Sequence, residues 1–383
     1  MTTTSLPSSP APVPPSAITT RLSPLGGVVL LLFLVVGLLC AGWAMLSGKI
    51  DLLPPKVSWD DIRHGAVTHR IAKELAGVPF AEQAAHLERG ASWLLIGDTG
   101  SRVRQGCPGW LFLVDELKLQ PNAARNAQAR ADKVTALREQ LRQRDIELLL
   151  VLVPDKSRIA ASELCGVARS AQFAQRLTHW RDSVQAQGLA VLDLTPVLQP
   201  QGRDAFLRTD THWSEAGANA AAIAVAARIG ELGIKPTPAQ SFDLSVSEPE
   251  VRPGDLVHLA GLDWLPASLQ PPVEQVRRSS LTVRAAATEA VEEDDLFGDS
   301  QLPNVAVIGT SFSRNSNFMP FLERAVGASV GNFALDGGAF SGAAKAYFDS
   351  SAFKQTPPKL IVWEIPERDL QAPYVDDIVL PAK

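Results

Sequence analysis

ELLLVLVPDK, Glu147 to Lys156, is the stretch from which the fold is read. From Leu148 to Val153 every residue is Leu or Val with no polar alternation, the pattern of a strand buried on both faces. On either side of it the pattern repeats. LAVLDLTPVL (Leu189 to Leu198) reads as a second buried strand ending at Pro196. NVAVIGTSFS (Asn304 to Ser313) reads as a strand that stops in a Gly-Thr-Ser turn, and KLIVWEIPER (Lys359 to Arg368) as one more strand. Between them lie helical patterns over Ala123 to Arg144 and Ala171 to Gln187. An Ala-rich helix follows, capped by Ser214 and running to about Gly230. Strands alternating with helices predict an α/β fold with a mostly parallel sheet covered on both faces. In such sheets the site forms beyond the carboxyl ends of the strands, which is where Ser311 falls.

The chain has 383 residues, 46% of them hydrophobic, with 36 basic and 41 acidic side chains and a net charge of −5. Disorder as the dominant state is excluded, and a chain this long buries a core without needing disulfides or a structural metal. The basic excess that phosphate binding requires is missing, so no nucleic acid is expected as a partner. Cys40, Cys107 and Cys165 are too few and too scattered for a zinc ribbon or a CxxC pair. The histidines lack metalloprotease spacing and no phosphate-binding glycine loop is found. The expected set of metals and cofactors is therefore empty.

Residues 1–25 read as a disordered Ser/Thr/Pro-rich tail. Leu22 to Gly48 carries no charge, and VVLLLFLVVGLLCAGWAML (Val28 to Leu46) has the length of a membrane-spanning helix, so residues 26–47 are expected to be a transmembrane signal anchor. A cleavable signal peptide, with Ala41 or Ala44 near its end, is the competing reading. Arg21 before the span against Lys49, Lys56 and Arg63 after it would favour a cytoplasmic domain by charge count alone. Residues 48–105 are expected to be a membrane-proximal helical and linker region and 106–383 the main domain. A solvated insertion is expected at about 237–300, Pro-rich and with an acidic run from Glu289 to Asp295.

Two segments hold residues suited to chemistry. LRTDTHWSEAG (Leu207 to Gly217) sets Asp210 two positions before His212, and in an extended stretch both side chains face the same way. A carboxylate there accepts the imidazole N–H and fixes its tautomer. Ser311, in VIGTSFS, is a poor nucleophile alone and needs such a base. Each signal has a plainer reading: Asp210 and His212 as a surface hydrogen bond or helix-capping device, Ser311 as a turn residue.

The order GCPGWLFLVDEL (Gly106 to Leu117), LVLVPDKSRI (Leu150 to Ile159), TDTHWSEAG (Thr209 to Gly217), PGDLVHLAGL (Pro253 to Leu262) and VIGTSFS resembles the alginate O-acetyltransferase family of SGNH-hydrolase-like proteins, the AlgJ/AlgX type. The resemblance covers roughly Gly106 to Asp369. It implies a three-layer α/β/α domain on the periplasmic side of the inner membrane, anchored by the one N-terminal transmembrane helix and acetylating an exported polysaccharide. It also implies a multispanning membrane-bound O-acyltransferase as acetyl donor and envelope polysaccharide-export proteins as neighbours. The family's Asp-x-His pair falls on Asp210 and His212, and its nucleophile on Ser311. The family's Gly-Asp-Ser reads Gly309-Thr310-Ser311 here, which removes a turn-stabilising carboxylate.

The mechanism implied is acyl transfer through an acetyl-serine, with the Ser311 N–H as one oxyanion donor. Gly337 and Gly338, in ALDGGAF, are candidates for admitting further backbone donors, or are simply loop glycines. Arg368 lies beyond a strand end, where it would meet a substrate carboxylate or sugar oxygen, or form a structural ion pair. Trp213 is a candidate for stacking on a pyranose ring. In a periplasmic setting Cys107 and Cys165 either pair or stay as two thiols. Two other functions keep the same residues: a carbohydrate acetyl esterase, with water as acceptor, and a catalytically silent polysaccharide-binding or assembly protein.

Overall fold

The all-Leu/Val run forms strand β1, Glu147–Val153, in which every residue after Glu147 is buried. The computed structural model describes residues 24–48, 50–53, 56–284, 302–375 and 377–381. The tail before residue 24 and the acidic run Glu289 to Asp295 lie outside the described residues. Four further strands complete the sheet: β2 Ala190–Asp193, β3 Val305–Ile308, β4 Gly331–Asn332 and β5 Leu360–Pro366. They lie in the order β4-β3-β5-β1-β2, and every neighbouring pair is parallel.

Residues along the central strands alternate between two cores. Leu148, Leu150, Leu152, Ile361, Trp363 and Ile365 pack against the helices Ala123–Arg142, Arg176–Gln185 and Gly342–Asp349. Leu149, Val151, Val153, Leu360 and Val362 face the opposite way, onto Glu215–Glu231 and Phe318–Val326. The result is a three-layer α/β/α fold. Ser214 accepts the Gly217 N–H at 3.1 Å and caps the helix Glu215–Glu231.

The sequence reading is revised at two places. The strand expected over Leu189 to Leu198 stops at Asp193, whose carboxylate accepts the Thr195 N–H at 2.8 Å and turns the chain into a short helix, Thr195–Leu198. It is an edge strand and only Val191 in it is buried. Within the expected insertion, PGDLVHLAGL is not surface loop. Leu256, Val257, Ala260 and Leu262 are buried with Val103, Leu111 and Leu113 of the hairpin formed by Val103–Gln105 and Leu111–Leu113. Two more antiparallel pairs, Phe242–Val246 with Ser279–Val283 and Glu250–Arg252 with Glu274–Val276, frame that segment. Cys107 and Cys165 form a disulfide.

The chain divides into two compact units, residues 1–85 and 86–383. The first holds the helix Pro24–Leu46, which is 23 residues long and apolar enough to cross a membrane. It also contains the short helices Trp59–Arg63 and Ala66–Ala76. Ser58 and Asp61 cap the former reciprocally. The α/β/α sandwich lies in the second unit.

Candidate active site

Strand β3 delivers Ser311. It ends at Ile308, and after Gly309 and Thr310 the chain enters a single 3-10 turn, Ser311–Arg314, at the carboxyl edge of the sheet. The Thr310 hydroxyl accepts the Phe312 N–H at 3.3 Å and tightens this turn.

The Asp-His loop comes from the other side of the sheet's switch point and is closed by a bridge between Phe206 and Trp213. Its backbone is bent, not extended as the sequence reading expected. Asp210 Oδ1 accepts the backbone N–H of His212 at 2.9 Å, an Asx turn, and the same oxygen accepts Nδ1–H at 2.7 Å. Asp and His therefore meet through a turn in which one carboxylate oxygen receives two bonds.

Remote groups hold this loop. Lys156, 1% exposed, donates from Nζ to the carbonyls of Leu111, Arg208 and Asp210 at 2.7, 2.8 and 3.0 Å. Burial pulls its ammonium down to about 8. Asp255 Oδ1 accepts the N–H and hydroxyl of Thr211 at 2.6 and 3.1 Å, and Glu274 does the same for Thr209 at 2.7 and 3.0 Å. A Cβ at Gly254 would stand 2.0 Å from the Thr209 carbonyl oxygen, so only glycine lets PGDLVHLAGL dock on the loop. Replacing Lys156 by Met should take the ammonium donor from the buried carbonyls of Leu111 and Asp210, while the Arg208 carbonyl keeps the Leu111 N–H. The expected cost is on the order of 3 kcal/mol of stability, with a parallel fall in activity, read by thermal melting and by initial rates. Unchanged melting would overturn the role given to Lys156.

His212 Nε2 lies 2.7 Å from Ser311 Oγ. A carboxylate only accepts, so Nδ1 carries the proton facing Asp210 and the Nε2 lone pair is left to accept the Ser311 hydroxyl. Burial opposes ionisation of Asp210, but the hydrogen bond and charge of His212 outweigh it and hold the carboxyl well below the usual carboxylate range. Asp255 is shifted the other way, by burial and by the charge of Asp210. Such a chain can draw the proton from the serine while the imidazolium that forms is stabilised. Asp210, His212 and Asp255 also put three potential ligand atoms within 4.8 Å of one another. The Nδ1–H faces Asp210, and Thr211 occupies Asp255, so hydrogen bonds already account for this cluster.

Asn315 and Arg252 belong to the same constellation and carried no recognised signal in the sequence. Asn315 Nδ2 donates to the Ser311 carbonyl at 2.9 Å and stands 3.5 Å from His212 Nε2. Arg252 Nη2 reaches Asp210 Oδ2 at 3.4 Å and Asn315 Oδ1 at 3.3 Å. Beside them opens a cavity of about 490 Å³, lined by Arg208, Arg252, Arg277, Arg278 and Ser316 among others.

The remaining sequence candidates fare differently. Trp213 is fully buried, edge-on to Phe312 and stacked on Phe318, so it has no face to offer a sugar. Its position beside His212 is explained by the Phe206 bridge, which turns the tryptophan into the core. The Gly338 N–H is taken by the Leu335 carbonyl at 3.1 Å and supplies no free donor. Gly337 is exposed with φ +69, a turn glycine. That loop is tied to the end of β3, just before Ser311, through Leu335 N–H to the Gly309 carbonyl at 3.0 Å. Arg368 is half-buried with its guanidinium 5.3 Å from the centre of the Phe312 ring. The ion pair that would be its structural role is absent among the described residues.

A family model described as "SGNH hydrolase-like domain, acetyltransferase AlgX" matches residues 103–367. Fold and family together define an SGNH-like O-acetyltransferase. The chain is 33% identical over 308 residues to a probable alginate O-acetylase AlgJ of Pseudomonas aeruginosa, covering 78% of each chain. It is 30% identical over 300 residues to the corresponding protein of Azotobacter vinelandii, covering 77% of this chain and 76% of the relative. The solved O-acetyltransferase domain of Pseudomonas putida AlgJ superposes with a TM-score of 0.62 at 27% identity, over 72% of this chain and 95% of that domain. The chain therefore belongs to the AlgJ/AlgX family of SGNH-like acetyltransferases.

Proposed function

We propose that this enzyme transfers acetyl groups to hydroxyls of an exported anionic polysaccharide, alginate or a similar polyuronate, through an acetyl ester on Ser311. The observation that carries this reading is the unbroken hydrogen-bond chain from Ser311 Oγ through the imidazole to Asp210, 2.7 Å at each step. The Ser311 oxygen attacks the acetyl carbonyl of the donor as its proton passes to His212 Nε2. The tetrahedral intermediate collapses, and the leaving group departs with that proton. A sugar hydroxyl then attacks the serine ester, His212 takes its proton, and the proton returns to Ser311 Oγ as the acetylated sugar leaves. Asp210 is a positioning residue that holds the tautomer. The Ser311 N–H is the first oxyanion donor on this reading, with Asn315 Nδ2 beside it.

The substrate class rests on charge. Five arginines and three carboxylates line the cavity next to the triad, in a chain whose net charge is −5. Two of those carboxylates are turned away from a ligand: Glu274 accepts from Thr209, and Glu215 from Ser279 and Asn317. Guanidinium groups suit the carboxylate that each uronate residue presents. Arg368, which makes no ion pair among the described residues, is a second contact for such a group. The apolar helix Pro24–Leu46 serves as a single-pass inner-membrane anchor, with residues 48–105 as the membrane-proximal region and the catalytic domain from 106 onward in the periplasm. The family likeness and the Cys107–Cys165 disulfide support that side of the membrane. One span cannot carry acetyl groups outward, so a multispanning acyltransferase supplies them, and polysaccharide-export proteins present the polymer.

The test is the full chain in detergent with p-nitrophenyl acetate as donor and oligomannuronate as acceptor, products read by mass spectrometry. Acetylated oligosaccharide is expected; acetate release indifferent to the acceptor would replace transfer with esterase activity. Arg208→Ala with Arg277→Ala should raise the KM for oligomannuronate roughly tenfold or more, while hydrolysis of p-nitrophenyl acetate stays unchanged. Equal KM values would remove the cavity from the substrate path.

A further inference from the structure

The motif departure at Thr310 has a structural counterpart in β5. Glu364 stands there next to β3, one residue past the Trp363–Ile308 pairing, and is 1% exposed. Its carboxylate Oε2 accepts the Thr310 N–H at 2.6 Å and the Ser313 hydroxyl at 3.1 Å, and the Thr310 hydroxyl lies 3.0 and 3.1 Å from its two oxygens. All of these donors flank Ser311. A Cβ at Gly309 would come within 2.6 Å of Glu364 Oε2, so the glycine of the motif is also fitted to this carboxylate. Among the described residues no cation makes an ion pair with it; the charge of Arg368 acts on it from further away. Burial pushes the Glu364 carboxyl above its ordinary range, while the bonds from Thr310 and Ser313 work against that rise.

We infer that Glu364 is the positioning residue of the nucleophile turn, and that Thr310 and Glu364 form a matched pair in which a strand glutamate supplies the carboxylate missing from the Gly-Thr-Ser turn. This rests on the reading of Ser311 as nucleophile. The physical reason for the match is charge. An aspartate at 310 would set a second carboxylate against Glu364, which has no ion-pair partner among the described residues and only the more distant charge of Arg368, and the two would resist ionising together. Threonine offers a hydroxyl donor of nearly the same size, so the turn is held by three donors on one carboxylate. A shift of the turn by even about 1 Å would spoil the 2.7 Å contact between Ser311 and His212, and misplacements of that size cost on the order of a hundredfold in rate.

The experiment is a double-mutant cycle in the full chain: Thr310→Asp, Glu364→Gln, and the two together. It reads the p-nitrophenolate burst that reports Ser311 acetylation, the KM for oligomannuronate, and the melting temperature. Thr310→Asp should slow the burst about a hundredfold with KM unchanged. Glu364→Gln, close in shape, should slow it about tenfold. In the double variant the amide introduced at position 364 can donate to the carboxylate introduced at position 310. The rate should then recover to within a few-fold of Glu364→Gln alone, a coupling that a merely structural role would not produce. If Thr310→Asp does not fold, recovery of a folded, bursting protein in the double variant reports the same coupling. Wild-type rates in Thr310→Asp, or strictly additive losses in the double variant, would overturn the pairing. A burst that survives Ser311→Ala would overturn the active-site reading and this inference with it. A burst lost there but indifferent to the exchange at 310 and 364 would sink the inference alone.

Discussion

Ser311→Ala should abolish acetyl transfer, with a loss on the order of 10⁴ to 10⁶ in kcat, and leave the melting temperature almost unmoved. The oxygen removed is that of a half-buried side chain whose hydroxyl, among the described residues, bonds the imidazole alone, so the fold loses little. Asp210→Asn should cost somewhat less, on the order of 10³ to 10⁴. Its amide no longer dictates that Nδ1 carries the proton, although the turn at His212 N–H survives. Groups that act as one unit do not add, so His212→Ala combined with Ser311→Ala should be no slower than Ser311→Ala alone. The checks are burst amplitude and mass of the acetylated protein. Normal acetylation of oligosaccharide by Ser311→Ala would leave the hydroxyl without its role and favour a silent binding protein.

Glu367→Ala should be the most destabilising single change, about 3–5 kcal/mol, measured by urea unfolding. Glu367 has no exposed surface and receives the guanidinium groups of Arg158, Arg169 and Arg176 at 2.6, 2.9 and 2.8 Å. Deleting it takes the carboxylate partner from Arg158 and leaves Arg169 and Arg176 to share Asp155 beneath the carboxyl edge of the sheet. Asp155, bonded to Arg176 and itself buried, is the only other carboxylate that pairs with them among the described residues. Burial alone would raise the Glu367 carboxyl, but the hydrogen bond from Arg158 and the charges of Arg176, Arg158 and Arg169 hold it below its ordinary value of 4.5. A carboxyl depressed by folding stabilises the protein above its unfolded titration, and that contribution is lost as pH falls through the depressed value. Asp155 is shifted upward by burial and by the charge of Glu367, so its contribution is present at low pH and lost as pH rises through the raised value. Wild type should therefore lose stability below about pH 4.5 through Glu367, and the Glu367→Ala variant should lack that slope. A difference under about 1 kcal/mol near neutral pH would show that the cluster behaves like a solvated surface pair.

The strand runs were legible because a strand buried on both faces leaves no polar positions: Leu148 to Val153 needs no neighbour to declare itself. The same reading overextended LAVLDLTPVL, since an edge strand and a following helical turn are equally apolar over so short a stretch. The helix Pro24–Leu46 was legible from length alone. Around the site, Asp210 and His212 were visible as neighbours in the chain. That proximity makes Trp213 a candidate sugar platform, and the bridge from Phe206 turns it inward.

Local period, local length and local chemistry were enough to specify the sheet's central strands, the apolar N-terminal helix and the three residue types suited to acyl transfer. It took the folded chain to bring Ser311 to His212, to add Asn315 and Arg252 to them, to set Glu364 against the turn that carries Ser311, and to seat Lys156 beneath the Asp-His loop. Those contacts join side chains far apart in the sequence, and their existence follows from parallel register and loop closure, which place distant carboxyl ends side by side while leaving no mark on the residues in between.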